Sequence, residues 1–216
     1  MPRERYTALI LDFDETITSS DTIFVIAETA YNCRSSTNSP TNNIPSWSFF
    51  QKTYFSEWSD HKPPSPPPTP SLTSLRTHIQ SYREVEQTSL TRVQKAGALA
   101  GGDRASLFEA GRRIETRLGW ADAVKQFVAL NGGKESSASV KIVSLNWSKD
   151  LIMGVVNAAG LADVIKKENI ISNDLEFSAD GKSTGNILGG ILTGVDKADH
   201  MGFAESGGAS ICIGDR

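Results

Sequence analysis

The run Leu9-Ile10-Leu11 leads directly into Asp12-Phe13-Asp14. A short, branched, wholly apolar run leaves no face for solvent, so it reads as a strand buried on both sides in a parallel sheet covered by helices. Such sheets place their chemistry beyond the carboxyl ends of the strands, and this strand ends in two carboxylates one residue apart. Carboxylates that close repel each other, and with a backbone carbonyl they make a hard oxygen site suited to Mg²⁺. On spacing alone, a strand end followed by Asp and Thr acting as helix caps reads equally well.

Three further segments have the same short, β-branched character: residues 140–143, a weaker 169–171, and Ser210–Ile213, beside a first strand over residues 6–11. Three of these strands run out into polar residues: Asp12, Ser144 and Asp215. Helical patterns at 147–159, 161–167 and 197–205 alternate with the strands, which predicts an α/β fold with a Rossmann-like parallel sheet. Asp180-Gly181 marks a hairpin over 175–182, expected as an ornament on the sheet edge with no catalytic role.

The first and second strands are separated by far more chain than one crossover helix needs, so an insert is expected. The division is 1–20 with 119–216 as a discontinuous core, and 21–118 as a mostly helical insert. Helices are expected at 21–31, 74–98 and 104–118, with 120–130 leading back to the core. A Ser/Thr/Asn-rich stretch near 34–46 and a proline-rich tract near 62–71 read as exposed loops. The tract suits a spacer or an SH3- or WW-type ligand. Between the loops, Trp47, Phe49, Phe50, Tyr54, Phe55 and Trp58 read as the small core of the insert, or as the wall of a substrate pocket.

With 38% hydrophobic and 22% charged residues in 216, the chain can bury a core, and its net charge of −3 gives no basis for a nucleic-acid or anionic-membrane partner. Arg112, Arg113 and Arg117 are interleaved with Glu109 and Glu115, the pattern of a solvated helix face. Cys33 and Cys212 cannot define a disulfide framework, and no run has the length of a membrane span or secretory signal. A cytoplasmic location is expected.

Asp12 and Asp14 gain meaning from Ser144, Lys197 and Asp215, which follow in order at places a parallel sheet brings together. Singly, Ser144 is also a helix cap and Lys197 a surface charge. Together, Asp12-Phe13-Asp14-Glu15-Thr16, Ile142-Val143-Ser144, Gly194-Val195-Asp196-Lys197 and Ile211-Cys212-Ile213-Gly214-Asp215 resemble the four motifs of the haloacid dehalogenase (HAD) superfamily. The resemblance implies a Mg²⁺-dependent phosphomonoester hydrolase for a small phosphorylated metabolite. Asp12 would be the nucleophile, Asp14 the general acid and base, and Ser144 and Lys197 the phosphoryl contacts. Asp12, the Asp14 carbonyl and Asp215 would hold the metal.

Retention of Asp14 implies phosphoryl rather than carbon–halogen chemistry, since a halide leaves without a proton. An insert between the first and second motifs is similar to the phosphoserine-phosphatase-like branch with a C1 helical cap, and Thr18, Asp21 and Thr22 would sit at the cap hinge. The segment Ser144-Leu145-Asn146-Trp147-Ser148 looks more like phosphatases associated with thiamine-phosphate metabolism in fungi and plants. The superfamily pattern continues beyond Asp215 with a further acid, helix and strand. The sequence ends at Arg216, so the expectation is a core incomplete at its C-terminus. The competing expectation is a catalytically impaired HAD-like fragment, or a regulatory protein binding partners through the proline-rich loop.

Overall fold

The structure is a computed structural model that describes residues 6–36, 44–65, 69, 71–132, 138–201 and 209–214. Its centre is β1 (Ala8–Leu11), whose Leu9, Ile10 and Leu11 are all buried. Each such side chain contributes about 1.5–3 kcal/mol of burial. β1 lies between β2 (Ser139–Val143) and β6 (Ser210–Ile213), and β3 (Ile170–Ile171) joins the far side of β2. All three pairings are parallel, giving the order β3-β2-β1-β6. Leu11 is in register with Ile142 and Ile213, so the strands end level with one another. That register brings the chain after Leu11, Val143 and Ile213 to one rim of the sheet.

Between β1 and β2 run α1 (Ile23–Ser36), α2 (Trp47–Asp60), α3 (Leu72–Gln80), α4 (Arg83–Lys95), α5 (Arg104–Gly111) and α6 (Trp120–Leu130). After β2 come α7 (Lys149–Ala158), then β3, the hairpin β4 (Asp174–Phe177) and β5 (Ser183–Leu188), and α8 (Gly194–His200) before β6. The alternation read from the sequence is therefore correct as a fold class.

Several element boundaries differ from expectation. The segment 74–98 is two helices, broken at Ser81-Tyr82, where Ser81 Oγ donates to His78 O at 2.7 Å. Glu84 and Glu86 in the first turn of α4 favour a fresh N-terminus there. Residues 161–166 form turns in place of the helix expected over 161–167. Leu161 and Ile165 are both buried, so one closed turn imitates a helical period before Lys167–Asn169 winds as a 3₁₀ helix. α5 stops at Gly111 because the following chain returns along residues 17–19, with Arg117 N donating to Ile17 O at 2.9 Å and Ser19 N to Glu115 O at 3.1 Å.

Two placements are also corrected. The aromatic segment is a helix, α2, and only Phe50 of the six named aromatics is fully buried, so it is not the insert's core. The hairpin β4–β5 is a separate two-stranded sheet and does not extend the edge of the main one. It packs on α4 and the 97–102 turn, where Gly101 N donates to Ser183 O at 2.8 Å and Ser183 N to Gly102 O at 2.7 Å. Of the proline-rich tract, residues 66–68 and 70 lie outside the described residues, as do 37–43 of the Ser/Thr/Asn-rich stretch.

α5 and α7 meet backbone to backbone. A Cβ on Gly111 would stand 2.1 Å from Leu151 O, and one on Gly154 2.1 Å from Phe108 O. This close crossing fixes α7, the helix that follows Ser144, against α5.

Candidate active site

At the rim, Asp12 N donates to Ile213 O at 2.9 Å, continuing the β1–β6 pairing one residue past the strand. The Asp12 carboxylate then turns to two donors. Phe13 N donates to Oδ1 at 2.7 Å, and Lys197 Nζ forms an ion pair with Oδ2 in which both side chains are mostly buried. Lys197 reaches this point because a capping box fixes α8. Thr193 Oγ1 accepts from Asp196 N, while Asp196 Oδ2 accepts from Thr193 N at 2.9 Å. The insert grips the same helix: Arg83 Nη1 donates to both Asp196 oxygens at 2.6 and 2.8 Å, and Arg76 Nη2 to Asp199 at 2.6 Å.

Beyond Asp12 the chain closes a tight turn in which Thr16, Ile17 and Thr18 N–H groups all donate to Phe13 O, with Glu15 at φ 58°. Glu15 holds this left-handed backbone while Arg117 Nε donates to its carbonyl at 2.8 Å. Arg117 is thus not merely part of a solvated face. The turn delivers Asp14 to three donors: Thr22 N at 2.9 Å and Thr22 Oγ1 at 2.6 Å on Oδ1, and Asn146 Nδ2 at 3.1 Å on Oδ2. These bonds favour the carboxylate, and burial opposes it more strongly. With the Asp21 charge nearby, the Asp14 pKa is pushed up from 3.8 to about 6.

Ser144 is 1% exposed; its N donates to Ile171 O at 2.9 Å, and its Oγ accepts from Asn146 N at 3.0 Å. Asn146, fully buried, is the residue sequence reading missed as a site member. It also donates to Thr22 Oγ1 at 3.0 Å and accepts from Ser148 N at 3.0 Å. Asn146 reaches Asp14 across 132 residues of sequence separation, and Thr22 across 8. The only signal was the polar alternation Ser144, Asn146, Ser148 after an apolar strand.

Asp12, Asp14, Ser144 and Lys197 open onto one cavity of about 710 Å³ between the sheet rim and the insert. Of the residues read from sequence, these four are brought together, while Asp215 lies outside the described residues. Its predecessor Gly214 is against Asp12, a Cβ there standing 3.7 Å from Asp12 Cβ. Among the described residues no group of three or more His, Cys, Asp or Glu side chains is arranged to hold a metal. The Asp12 and Asp14 carboxylates at the rim nonetheless offer oxygen ligands, the chemistry that fits Mg²⁺.

No known protein-family profile matches the chain. It is 28% identical over 182 residues to a CTO1 family protein of Schizosaccharomyces pombe, covering 83% of this chain and 60% of that protein. It is 28% identical over 218 residues to Cold tolerance protein 1 of Saccharomyces cerevisiae, covering 91% of this chain and 65% of that one. The chain therefore spans less than two thirds of either relative. Among solved structures, it aligns over 99% of its length, and 79% of the other chain, with a substrate-bound phosphoserine phosphatase (TM-score 0.52, 18% identity). A phospho-aspartyl intermediate analogue of phosphoserine phosphatase gives a TM-score of 0.51 at 17% identity over 98% of this chain and 79% of that one. On these likenesses the chain has the α/β fold of the HAD-type phosphoserine phosphatases, with the CTO1 proteins as distant relatives.

Proposed function

We propose that this chain is a Mg²⁺-dependent phosphomonoester hydrolase acting on a small phosphorylated metabolite. The observation that carries this reading is the meeting of Asp12, Asp14, Ser144 and Lys197 around one cavity, from three separate parts of the sequence. In this reading the 21–118 insert is the cap that covers the site.

An Asp12 carboxylate oxygen attacks phosphorus as the bond to the leaving oxygen breaks, giving an aspartyl-phosphate. Asp14 gives its proton to the departing alkoxide, then accepts one from the water that attacks the aspartyl-phosphorus and frees phosphate. A pKa near 6 suits a group that must do both near neutrality. Ser144 has its lone pair engaged by Asn146 N and its proton left to donate to a phosphoryl oxygen. Lys197 balances charge at Asp12 and the phosphoryl group. Asp12, the Asp14 carbonyl and Asp215 would hold the Mg²⁺, which supplies charge neutralisation that the single lysine cannot.

The test is turnover of p-nitrophenyl phosphate with Mg²⁺ and with chelator. Activity that depends on Mg²⁺ and falls at least about 10³-fold in Asp12→Asn is expected. Turnover that survives that substitution removes Asp12 as nucleophile.

A further inference from the structure

A buried asparagine outside the four motifs ties two sides of the phosphoryl site together. Asn173 follows β3 by two residues at the same rim, and the pairing of Val143 with Ile171 sets it level with Leu145, the residue after Ser144. Asn173 is 1% exposed, and all four bonds of its amide go to backbone. Nδ2 donates to Leu145 O at 3.0 Å and to Ile191 O at 2.8 Å, while Oδ1 accepts from Gly190 N and Ile191 N, both at 3.1 Å. Two N–H groups and two lone pairs are the whole capacity of an amide, and all are used here.

Those bonds join two loops. One leaves Ser144. The other, residues 189–193, leads into α8, where Leu192 N and Thr193 N both donate to Asp196 Oδ2 at 2.9 Å and Lys197 follows. Gly189 lets this second loop come close: its φ is 129°, and a Cβ there would stand 2.4 Å from Asn173 Oδ1. Leu145 and Ile191, the residues so joined, line the cavity. Ser144 and Lys197 are the two side chains assigned to the phosphoryl group, and each is carried by a loop held on this amide. Their separation decides whether both meet the group in its transition state, where a misplacement of about 1 Å costs about 10²-fold in rate. Resting on the hydrolase reading, we infer that Asn173 is a positioning residue that sets the span between Ser144 and Lys197 by holding both loops on one side chain.

Asn173→Asp keeps the size and the acceptor but turns the donor into a second oxygen, which the Leu145 and Ile191 carbonyls repel. With p-nitrophenyl phosphate and Mg²⁺ on the full chain, kcat is expected to fall at least about tenfold while KM moves less than about threefold, because alignment is needed in the transition state more than in binding. Trace acetylation with acetic anhydride, read by mass spectrometry, follows Lys197 itself. Its side chain is 14% exposed against 56% for Lys125. Relative to Lys125, the variant is expected to label Lys197 several-fold faster, with both proteins held equally far below their melting temperatures. A loss of stability with kcat or the Lys197 rate unchanged makes Asn173 a structural residue only and overturns the inference, as does a rise in KM alone. If the variant does not fold, hydrogen exchange of the wild type decides. The Gly190 and Ile191 amides lie outside any strand or helix yet are expected to be protected, and exchange at the rate of free chain overturns the bracket. If the wild type turns over no ester but Lys197 labelling still responds to Asn173→Asp, the hydrolase reading fails and the bracket stands. If esters turn over and neither kcat nor labelling changes, the positioning claim fails alone.

Discussion

Asp14→Asn should make the protein relatively more stable as the pH rises, because the native carboxyl is held in a place that disfavours its charge. Its pKa is 3.8 ordinarily and about 6 in the fold, burial being the largest cause. The folded state therefore binds this proton more tightly than the unfolded state, and the stability that proton brings is lost as pH climbs through that window. Linkage gives a loss of about 2 kcal/mol between about pH 4.5 and about pH 7.5. Asparagine does not titrate. It does carry a separate, constant cost, since its amide would face the Asn146 amide, already committed through Oδ1 to Ser148 N. A difference between two pH values cancels that cost along with every other group shared by both proteins. Urea unfolding of both proteins in chelator, across this range, reads the effect directly. The gap should move by about 2 kcal/mol in favour of Asp14→Asn. Two stability curves that stay parallel would show that Asp14 is not a charge held against burial, and the reasoning about its dual acid and base role would lose its physical basis.

Asn146→Ala removes a donor that favours the Asp14 carboxylate, so the pH-dependent gap between proteins with and without Asp14 should widen in that background; a narrower gap contradicts the assignment. Gly154→Ala places a Cβ against the Phe108 carbonyl at the α5–α7 crossing and should cost about 2 kcal/mol, lowering Tm by roughly 4–8 °C in a thermal melt. An unchanged Tm would mean that the crossing is looser than described. Arg83→Gln removes one of the two arginine clamps on α8; Arg83 is 40% exposed, so stability should change by no more than about 1 kcal/mol. The same variant should lower kcat several-fold by loosening Lys197, an effect that added salt reproduces in the wild type. Equal kcat values at low salt would separate the ion pair from catalysis.

The core was legible because burial on both faces leaves an unmistakable mark: Leu9-Ile10-Leu11 has no polar residue to turn outward, and the parallel sheet follows. α6 was read to its exact residues, 120–130, because its apolar period runs uninterrupted from Trp120 after a glycine cap. The meeting of Asp12, Asp14, Ser144 and Lys197 was read from motif order, which the parallel register turns into proximity. What stayed hidden depends on contacts distant in sequence. Asn146 looks like an ordinary polar residue, and Thr22 like a hinge residue, until the fold places both on Asp14. α2 was hidden between two polar loops, although Trp47, Phe50, Tyr54 and Trp58 recur at helical spacing, since six aromatics in one stretch suggest a core before they suggest a stripe. The hairpin was read correctly from Asp180-Gly181, but its neighbour was not. Turn chemistry is local, whereas packing on α4 is set by tertiary contacts.

In the proposed reaction Asp12 takes the phosphoryl group onto its own side chain. Acid quenching of the Mg²⁺-loaded protein during turnover of a radiolabelled phosphate ester, followed by digestion and mass spectrometry, measures this directly. Phosphate is expected on the peptide containing Asp12, stable in acid and released by hydroxylamine, and absent in Asp12→Asn. Steady turnover with label on another residue, or trapped label persisting in Asp12→Asn, would contradict it.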